Sequence, residues 1–442
     1  MKKLKYILLL LVAALTGLSA CSKEDDLLSS QNISAEPVIK VSTTGYESAN
    51  PTTRATDNED EFKTTLAEND QIGIYVVKDG KVISKNVSYK YNSSETWEKA
   101  GTEAVSAISG SNVSFFAYYP YRQAMDDKTI ASIADIISNF EVAADQSTHE
   151  LYTNNDLMTA TGTLSADKKT LSFTLQHSLA LIVLDLKGQR TSYSGGYVVY
   201  GAVSSIAKKE IGNVTTPFTD AKGCFRALVK PGSVTPAISY SAGGKTVTYS
   251  SVITAVAGKY NKKLIYAGNT TDIEKSIARG DYFYADGNIS STYTNDSSNP
   301  CIGIVLTTSE QLAAAPYNHG LVVALKDAAR KFSYGGQNIP TDNLPQVPNT
   351  CQKWFGPTID QLKLMIWGNT TSQSTDGKTF LEDKMNGVAN SEKFNARSLE
   401  NVFYSSTELN NSYNYWTIVV SNGKQQEWFY GTDANGRAIF AF

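Results

Sequence analysis

The chain has few of the residues that catalysis and metal binding use most. It holds 442 residues but only three histidines and four cysteines. No cysteine pair has C-x-x-C spacing and no histidine lies near a cysteine, which argues against a zinc site. The sequence also lacks an H-E-x-x-H motif, a phosphate-binding loop and a G-x-S-x-G motif in triad-like order. We therefore expect a protein without enzymatic activity, cofactor or metal.

The chain also has no large excess of charge of one sign, and it has few long apolar runs. The net charge is −3, which gives no electrostatic reason to expect nucleic acid or an anionic membrane surface as a partner. The one long apolar run, Tyr6–Leu18, follows three lysines and precedes Ser19 and Ala20. This order of basic, apolar and small residues predicts a secretory signal peptide over residues 1–20. No later apolar run is long enough to span a bilayer.

Cys21 directly follows this segment. The stretch "LSAC" looks like a bacterial lipobox, in which the cysteine sulfur takes a diacylglycerol and the cysteine becomes the new N-terminus. The alternative is an ordinary signal peptide with an incidental cysteine. The next residues, "SKEDD", are too charged to pack and predict a solvated tether. We therefore expect a membrane-anchored lipoprotein. The same stretch resembles the acidic patch that sends Bacteroidetes lipoproteins to the outer surface, and this resemblance implies the outer membrane.

After the tether the pattern is mostly β. Val38–Val41 predicts a short strand, and Ser48–Asp60 predicts a loop in which Arg54 is the single basic residue. An exposed loop arginine is either a trypsin-type cleavage site or an ordinary loop residue. The pairs Asp79-Gly80 and Gly243-Gly244 separate β-rich runs and predict hairpins. Residues 37–188 and 189–270 are therefore predicted as two β-sandwiches.

The composition changes near residue 271. Helices are predicted over "HGLVVALKDAARKF" (319–332), over "TIDQLKLMIWG" with Thr358 as N-cap, and over "DGKTFLEDKM" (376–385). Strands return at the end, in "YWTIVVSNGKQQEWFY" and "GRAIFAF". Residues 271–442 are therefore predicted as an α+β domain.

The lipobox is followed, in order, by "TTRAT", "DQIGIYVV", "VSFFAYYPY", "DLMTATGTL" and "LQHSLALIVLDL". This order gives residues 21–270 a resemblance to the fimbrillin-like (type V pilin) proteins of Bacteroidetes. It implies two transthyretin-like sandwiches and a surface lipoprotein that an arginine-specific protease cuts between Arg54 and Ala55. Residues 21–54 would then be removed, which leaves 55–188 as the first sandwich and opens a groove for a strand of another pilin subunit.

The end of the chain, from about residue 280, contains the pieces "WFGPTIDQL", "FYSSTE", "YWTIVV" and "GRAIFAF". With these pieces it resembles the C-type-lectin-like domains that cap certain bacterial surface proteins. The Glu-Pro-Asn and Trp-Asn-Asp motifs of calcium-dependent sugar binding are missing, so the resemblance does not extend to calcium. Tyr413, Tyr415, Trp416 and Trp428 are the candidate ligand contacts because aromatic rings stack on sugars and grip proteins. Core packing is the competing interpretation for Trp416 and Trp428.

Three hypotheses follow for the function. If "GRAIFAF" is the last strand of the lectin-like domain, the subunit accepts a strand but donates none, which makes it the tip adhesin of a fimbrium with an unidentified host or bacterial ligand. The alternative is a non-polymerising surface lipoprotein that binds glycan or protein through its C-terminal domain and keeps Arg54 intact. The third, an oxidase related to formylglycine-generating enzymes, needs a reactive cysteine pair that Cys301 and Cys351 do not resemble. It stays open whether these two cysteines form a disulfide in an oxidising compartment, which would leave Cys224 without a disulfide partner.

Overall fold

The computed structural model describes residues 36–49, 62–105, 108, 110, 112–268, 274–309, 312–313, 316–328, 341–394, 402–409, 412–429 and 436–442. Contacts divide the chain into two compact units. Unit 1 takes the described residues within Met1–Val142, Thr153–Ala180 and Ala257–Lys259. Unit 2 takes those within Ala143–Tyr152, Leu181–Val256 and Tyr260–Phe442.

Unit 1 is built on a sheet with the strand order β1-β9-β7-β6-β3-β4-β5, and β8 also pairs with β9. The strands of this unit are β1 (Val38–Thr43), β2 (Glu47–Ser48), β3 (Gln71–Lys78), β4 (Lys81–Tyr91), β5 (Trp97–Lys99), β6 (Val113–Tyr119), β7 (Met158–Thr161), β8 (Thr163–Leu164) and β9 (Thr170–His177). A 3-10 turn, Gln123–Met125, and helix α1 (Ile133–Asn139) connect β6 to β7. Helix α2 (His149–Thr153) contains the point in the sequence, between Tyr152 and Thr153, where the chain passes from unit 2 to unit 1.

Local turn chemistry explains the β3–β4 hairpin. Asp79 and Gly80 have φ angles of 51° and 76°, and Lys78 pairs directly with Lys81. Two consecutive positive φ angles make a two-residue turn whose twist matches that of the strands. The hairpin predicted at Asp79-Gly80 is therefore confirmed.

The first part of unit 2 contains three sheets, with the orders β13-β14-β10-β19, β12-β16-β17 and β15-β18, and β11 pairs with β10. The strands are β10 (Ala180–Ser192), β11 (Val198–Tyr200), β12 (Ser205–Ile211), β13 (Phe218–Thr219), β14 (Phe225–Val229), β15 (Gly232–Val234), β16 (Pro236–Ala242), β17 (Lys245–Tyr249), β18 (Ile253–Ala255) and β19 (Lys259–Ala267). The hairpin predicted at Gly243-Gly244 is confirmed, with Ala242 paired to Lys245. The predicted domain boundary after residue 188 falls inside β10.

The second part of unit 2 contains the sheets β21-β20-β22-β23-β27 and β24-β25-β26. Their strands are β20 (Tyr282–Tyr284), β21 (Ile289–Ser290), β22 (Cys301–Thr307), β23 (Leu321–Ala324), β24 (Val402–Leu409), β25 (Ser412–Val419), β26 (Gln425–Phe429) and β27 (Ile439–Ala441). Helices α3 (Ile359–Trp367) and α4 (Asp376–Met385) pack against each other.

The start of α3 is fixed by a reciprocal capping box. The Thr358 hydroxyl accepts from the Gln361 amide at 3.4 Å, and the Gln361 side chain accepts from the Thr358 amide at 2.8 Å. Gly368 ends the helix with a φ of 82°. The helices predicted from Thr358 and over 376–385 are confirmed.

The helix predicted over 319–332 is wrong for the described residues. Leu321–Ala324 forms the strand β23, which pairs with β22 and β27. All four side chains have no exposed surface. An apolar run that is buried on both faces has no alternation, so its periodicity does not separate a strand from a buried helix. Residues 329–332 lie outside the described part of the chain.

Candidate functional site

Strand β1, the strand expected to be removed, lies at one edge of the unit 1 sheet. It pairs in parallel with β9, from Val38 opposite Thr170 to Thr43 opposite Leu175. The other edge of β9 is taken by β7 and β8. Beyond the end of the strand, the Thr44 amide still donates to the Leu175 carbonyl at 3.0 Å. Strand β1 therefore covers the one edge of β9 that its other neighbours leave open.

Ile39 is the apolar anchor of β1. Its side chain is 3% exposed and lies in the core of unit 1 with Leu171 and Phe173 of β9. Val41 packs partly against the same core, whereas Val38 is 59% exposed. Full burial of an isoleucine side chain contributes about 1.5–3 kcal/mol. The apolar attachment of the strand therefore depends mainly on one side chain.

Glu36 attaches the residues before β1 to the far end of the same sheet. Its carboxylate accepts from the Tyr89 hydroxyl at 2.8 Å and pairs with Lys99 at 2.9 Å. The Val105 amide donates to the same Tyr89 hydroxyl at 3.1 Å. Burial, with a smaller contribution from Glu36, raises the pKa of Tyr89. These contacts join the start of β1 to β4 and β5 as well as to β9.

A buried polar cluster holds the residues after β1. The Tyr46 hydroxyl donates to Asp156 Oδ1 at 3.1 Å, and His177 Nδ1 bonds the same oxygen at 2.8 Å. The Thr64 hydroxyl donates to Asp156 Oδ2 at 2.6 Å. The rings of Tyr46 and His177 stack with their centroids 3.7 Å apart. Asp156 thus collects three hydrogen bonds in a site that is 7% exposed.

None of the residues immediately around His177 in the sequence is acidic. The partner is Asp156, 21 positions earlier, because the antiparallel pairing of β7 with β9 sets Met158 opposite His177. The two residues stand in "DLMTATGTL" and "LQHSLALIVLDL", two of the pieces that carry the family resemblance. Their presence in these two pieces was the one signal in the sequence that pointed to this cluster.

The processing residues themselves lie outside the described residues. The described residues end at Ala49 and begin again at Phe62, and Arg54 and Ala55 fall between these two positions. Cys21 and the predicted signal peptide also lie outside it. Among the residues that are described, no helix has the length and apolar character to cross a membrane.

Strand β27 is paired along both edges. On one side it pairs with β23, with Ile439 opposite Val323. On the other side Ile439 and Phe355 exchange two backbone hydrogen bonds of 3.0 and 2.9 Å, and the Gln352 amide donates to the Ala441 carbonyl at 2.9 Å. Residues 438–442 are at most 1% exposed. This segment is part of the core of unit 2.

A buried arginine precedes the same strand. Arg437 has no exposed surface, and its Nε donates to Asp327 at 2.6 Å. The terminal nitrogens donate to the carbonyls of Ala324, Glu392 and Lys393. Burial lowers the pKa of Arg437, and the neighbouring Asp327 carboxylate opposes that effect. The guanidinium ties β27 to segments that are distant in sequence.

The candidate ligand contacts lie on β25 and β26. The register pairs Tyr415 with Trp428 and Trp416 with Glu427. The Trp416 side chain is half-buried, and its carbonyl accepts from the Ser405 hydroxyl at 2.8 Å. The side chains of Tyr413, Tyr415 and Trp428 lie outside the description, so their role as ligand contacts stays a prediction.

The three cysteines that follow the tether are free and buried, which corrects the pairing considered for Cys301 and Cys351. These two thiols belong to different core clusters. Burial raises the pKa of each to about 11, so both stay protonated and weakly nucleophilic near neutral pH. Within the described ranges, no three His, Cys, Asp or Glu side chains come close enough to hold a metal.

Comparison with known proteins decides the family. The family model described as fimbrillin-like matches residues 53–279, just over half of the chain. The chain belongs to the fimbrillin-like family. The matched region of this family member begins next to Arg54, after the end of β1.

Individual relatives of this family member are also similar to it. It is 28% identical over 404 residues to a Bacteroides ovatus protein described as "Putative fimbrium tip subunit Fim1C", over 81% of this chain and 72% of that one. A crystal structure of a fimbrial protein from Bacteroides ovatus covers 92% of this chain and 99% of its own, at 21% identity and a TM-score of 0.42. A crystal structure described as a "putative cell adhesion protein" from the same species covers 55% of this chain and 99% of its own, at 15% identity and a TM-score of 0.33.

Proposed function

We propose that this family member is the tip subunit of a fimbrium. It is exported as a lipoprotein through Cys21, cut after Arg54, and assembled when a strand of another subunit takes the place of β1. Residues 55–270 contain two transthyretin-like sandwiches in this proposal, and the boundary between them lies near the start of β10 instead of after residue 188. Residues 271–442 are a C-type-lectin-like domain that binds the surface ligand.

The observation that carries strand exchange is the position of β1. It is an edge strand with one buried anchor, Ile39, and the chain leads from it towards Arg54. Its loss would leave the backbone groups of one edge of β9 unpaired and the Ile39 site empty. Unpaired sheet edges bind extended peptide segments by β-augmentation.

The burial of residues 438–442 supports the tip position. Both edges of β27 are paired, so these residues cannot serve as a donated strand without opening the core of unit 2. The likeness to the protein described as a tip subunit points the same way. A subunit that accepts a strand and keeps these residues in its own core would not use them to extend a fibre.

One observation favours the alternative of a non-polymerising surface lipoprotein. The intact chain already pairs β9 with its own β1 and fills the Ile39 site, so it needs no partner strand. Such a protein would keep Arg54 uncut and use only its C-terminal domain.

Mass spectrometry of the N-terminus of surface-exposed protein separates the two. We expect a start at Ala55, and lipidated Cys21 on all of the surface protein would refute processing. The variant Arg54→Lys should block an arginine-specific protease and keep residues 21–54, whereas the neighbouring control Thr56→Ser should be processed normally.

Self-assembly tests the tip position separately. Processed protein incubated alone should stay monomeric on size-exclusion chromatography and denaturant-free gels. A ladder of homopolymers would show that it donates a strand as well as accepting one, and would refute the tip assignment.

A further inference from the structure

The cluster around Asp156 would be left incomplete by the proposed processing. Tyr46 precedes Arg54 and would leave with β1, whereas Thr64, Asp156 and His177 would remain. All four side chains belong to unit 1, and the Tyr46 side chain supplies both a hydrogen bond and a stacked ring. The vacated groove would therefore carry a polar pocket beyond the apolar site of Ile39.

The remaining side chains of this pocket require a particular kind of occupant. Asp156 would lose one of three hydrogen-bond donors in a site that is 7% exposed. His177 would lose the ring stacked on it, and its Nε2 is already buried without a hydrogen-bond partner among the described residues. A buried polar group that loses its partner costs about 1–3 kcal/mol. An incoming strand that restores both contacts would bind more tightly than one that restores neither.

We propose that this pocket selects the incoming strand of a second subunit by a tyrosine, placed seven residues after the apolar side chain that fills the Ile39 site. A phenol supplies the aromatic face for His177 and the hydroxyl donor for Asp156 in one side chain. Phenylalanine restores only the stacking, and the hydroxyl of serine or threonine is too close to the backbone to reach Asp156, so these residues restore neither contact. This inference rests on the strand exchange of the proposed function.

The backbone around Tyr46 restricts the preceding position as well. The Tyr46 amide donates to the Phe62 carbonyl at 3.1 Å, and Gly45 forms an antiparallel bridge with Lys63. A Cβ atom at Gly45 would lie 2.9 Å from Lys63 Cγ, so a larger residue there displaces the lysine side chain. The preferred sequence of the incoming strand is therefore an apolar residue, five intervening residues, a glycine and a tyrosine.

A peptide-exchange experiment tests the selection. The full chain carries the recognition sequence of a sequence-specific protease in place of residues 52–55, so that cleavage does not depend on the native enzyme. After cleavage, a fluorescent peptide of residues 36–49 is titrated in, and its polarisation reports replacement of the released segment. Competing peptides carry Tyr46→Phe, Tyr46→Leu or Ile39→Ala, and Lys40→Arg is the control because Lys40 is exposed.

The expected result is a graded loss of affinity. A hydrogen bond to a charged group contributes about 1.5–3 kcal/mol, so Tyr46→Phe should weaken binding about ten- to a hundredfold. Tyr46→Leu, which also loses the stacked ring, should be weaker still, and Lys40→Arg should bind like the parent peptide. In a chain with Asp156→Asn, the preference for tyrosine over phenylalanine should shrink.

The outcomes separate this inference from the proposed function. If Ile39→Ala weakens binding but Tyr46→Phe binds like the parent peptide, the tyrosine pocket is refuted and strand exchange stands. If the parent peptide does not bind, or Ile39→Ala has no effect, both fail. Should the Asp156→Asn chain not fold, the peptide series on the parent chain decides alone.

Discussion

Replacing Arg437 with methionine should destabilise unit 2 by about 3–5 kcal/mol, the usual cost of breaking a buried ion pair by removing one partner. The guanidinium has no exposed surface and donates to the Asp327 carboxylate and to the carbonyls of Ala324, Glu392 and Lys393. Methionine fills much of the volume but supplies no donor. The Asp327 carboxylate, which is 4% exposed, would then lose its charge-assisted hydrogen bond to Arg437.

The two partners of this ion pair should show strong coupling. Asp327→Leu alone would leave the arginine charge buried without a carboxylate, whereas the double variant Arg437→Met/Asp327→Leu removes both charges. The double variant should therefore lose less stability than the sum of the single variants, by about 1–3 kcal/mol. It should not recover fully, because the three carbonyls still lack the guanidinium donors.

Tryptophan fluorescence in urea measures this effect with little contribution from unit 1. Four of the five tryptophans of the chain lie in unit 2, and Trp97 is the one in unit 1. The control is Lys245→Met, which changes an exposed lysine of the same unit. If Arg437→Met shifts the unfolding midpoint no more than Lys245→Met does, or if the single effects simply add, the argument from buried charge is wrong.

Three further predictions use the same unfolding assay or simple labelling. Thr358→Ala removes the side-chain acceptor of the capping box and should cost about 1 kcal/mol, and Thr358→Ser should restore most of it. Gly80→Ala forces alanine to a φ of 76° and should cost about 1–2 kcal/mol, whereas Gly101→Ala, at a glycine with open space and no positive φ, should be nearly neutral. Because burial raises the pKa of Cys301 and Cys351 to about 11 from 9.0, their contribution to stability is complete below pH 9 and falls as the pH rises to 11. Iodoacetamide at pH 8 should label neither thiol in the folded protein and both in urea, and rapid labelling of the folded protein would contradict the assignment.

Features that depend on neighbouring residues could be predicted from the sequence. The turn at Asp79-Gly80 follows from the φ angles that a two-residue hairpin requires, and the start of α3 follows from Thr358 three positions before a glutamine. Strand β23 could not be separated from a helix, because its two faces are buried in two different core clusters, one with Leu321 and Val323 and the other with Val322. Because tertiary contacts produce this burial, no local sequence pattern distinguishes the strand from a buried helix.

The candidate site also has one part that the sequence predicts and one part that it does not. The strand predicted at Val38–Val41 is confirmed, because a short apolar run before a polar loop is a local pattern. The pairing of Asp156 with His177 depends on the register of β7 and β9, and the contact of Tyr46 with both depends on where the chain turns after β1. Sequence spacing carries no information on that register, so the polar half of the site became visible only in the fold.

The two strands β1 and β27 differ in what would be lost on their release. Release of β1 would unpair one edge of one neighbour, expose one large apolar anchor, and open the polar contacts of Glu36 and Tyr46. Release of β27 would unpair β23 on one side and the backbone of Gln352 and Phe355 on the other, and it would expose five consecutive buried residues next to the fully buried Arg437. Each contact of β1 is one that a second extended segment could reproduce, because backbone pairing is independent of sequence and the anchor and phenol are single side chains. Under the proposed mechanism, this asymmetry is what would make the subunit an acceptor of strands at the end of a fibre.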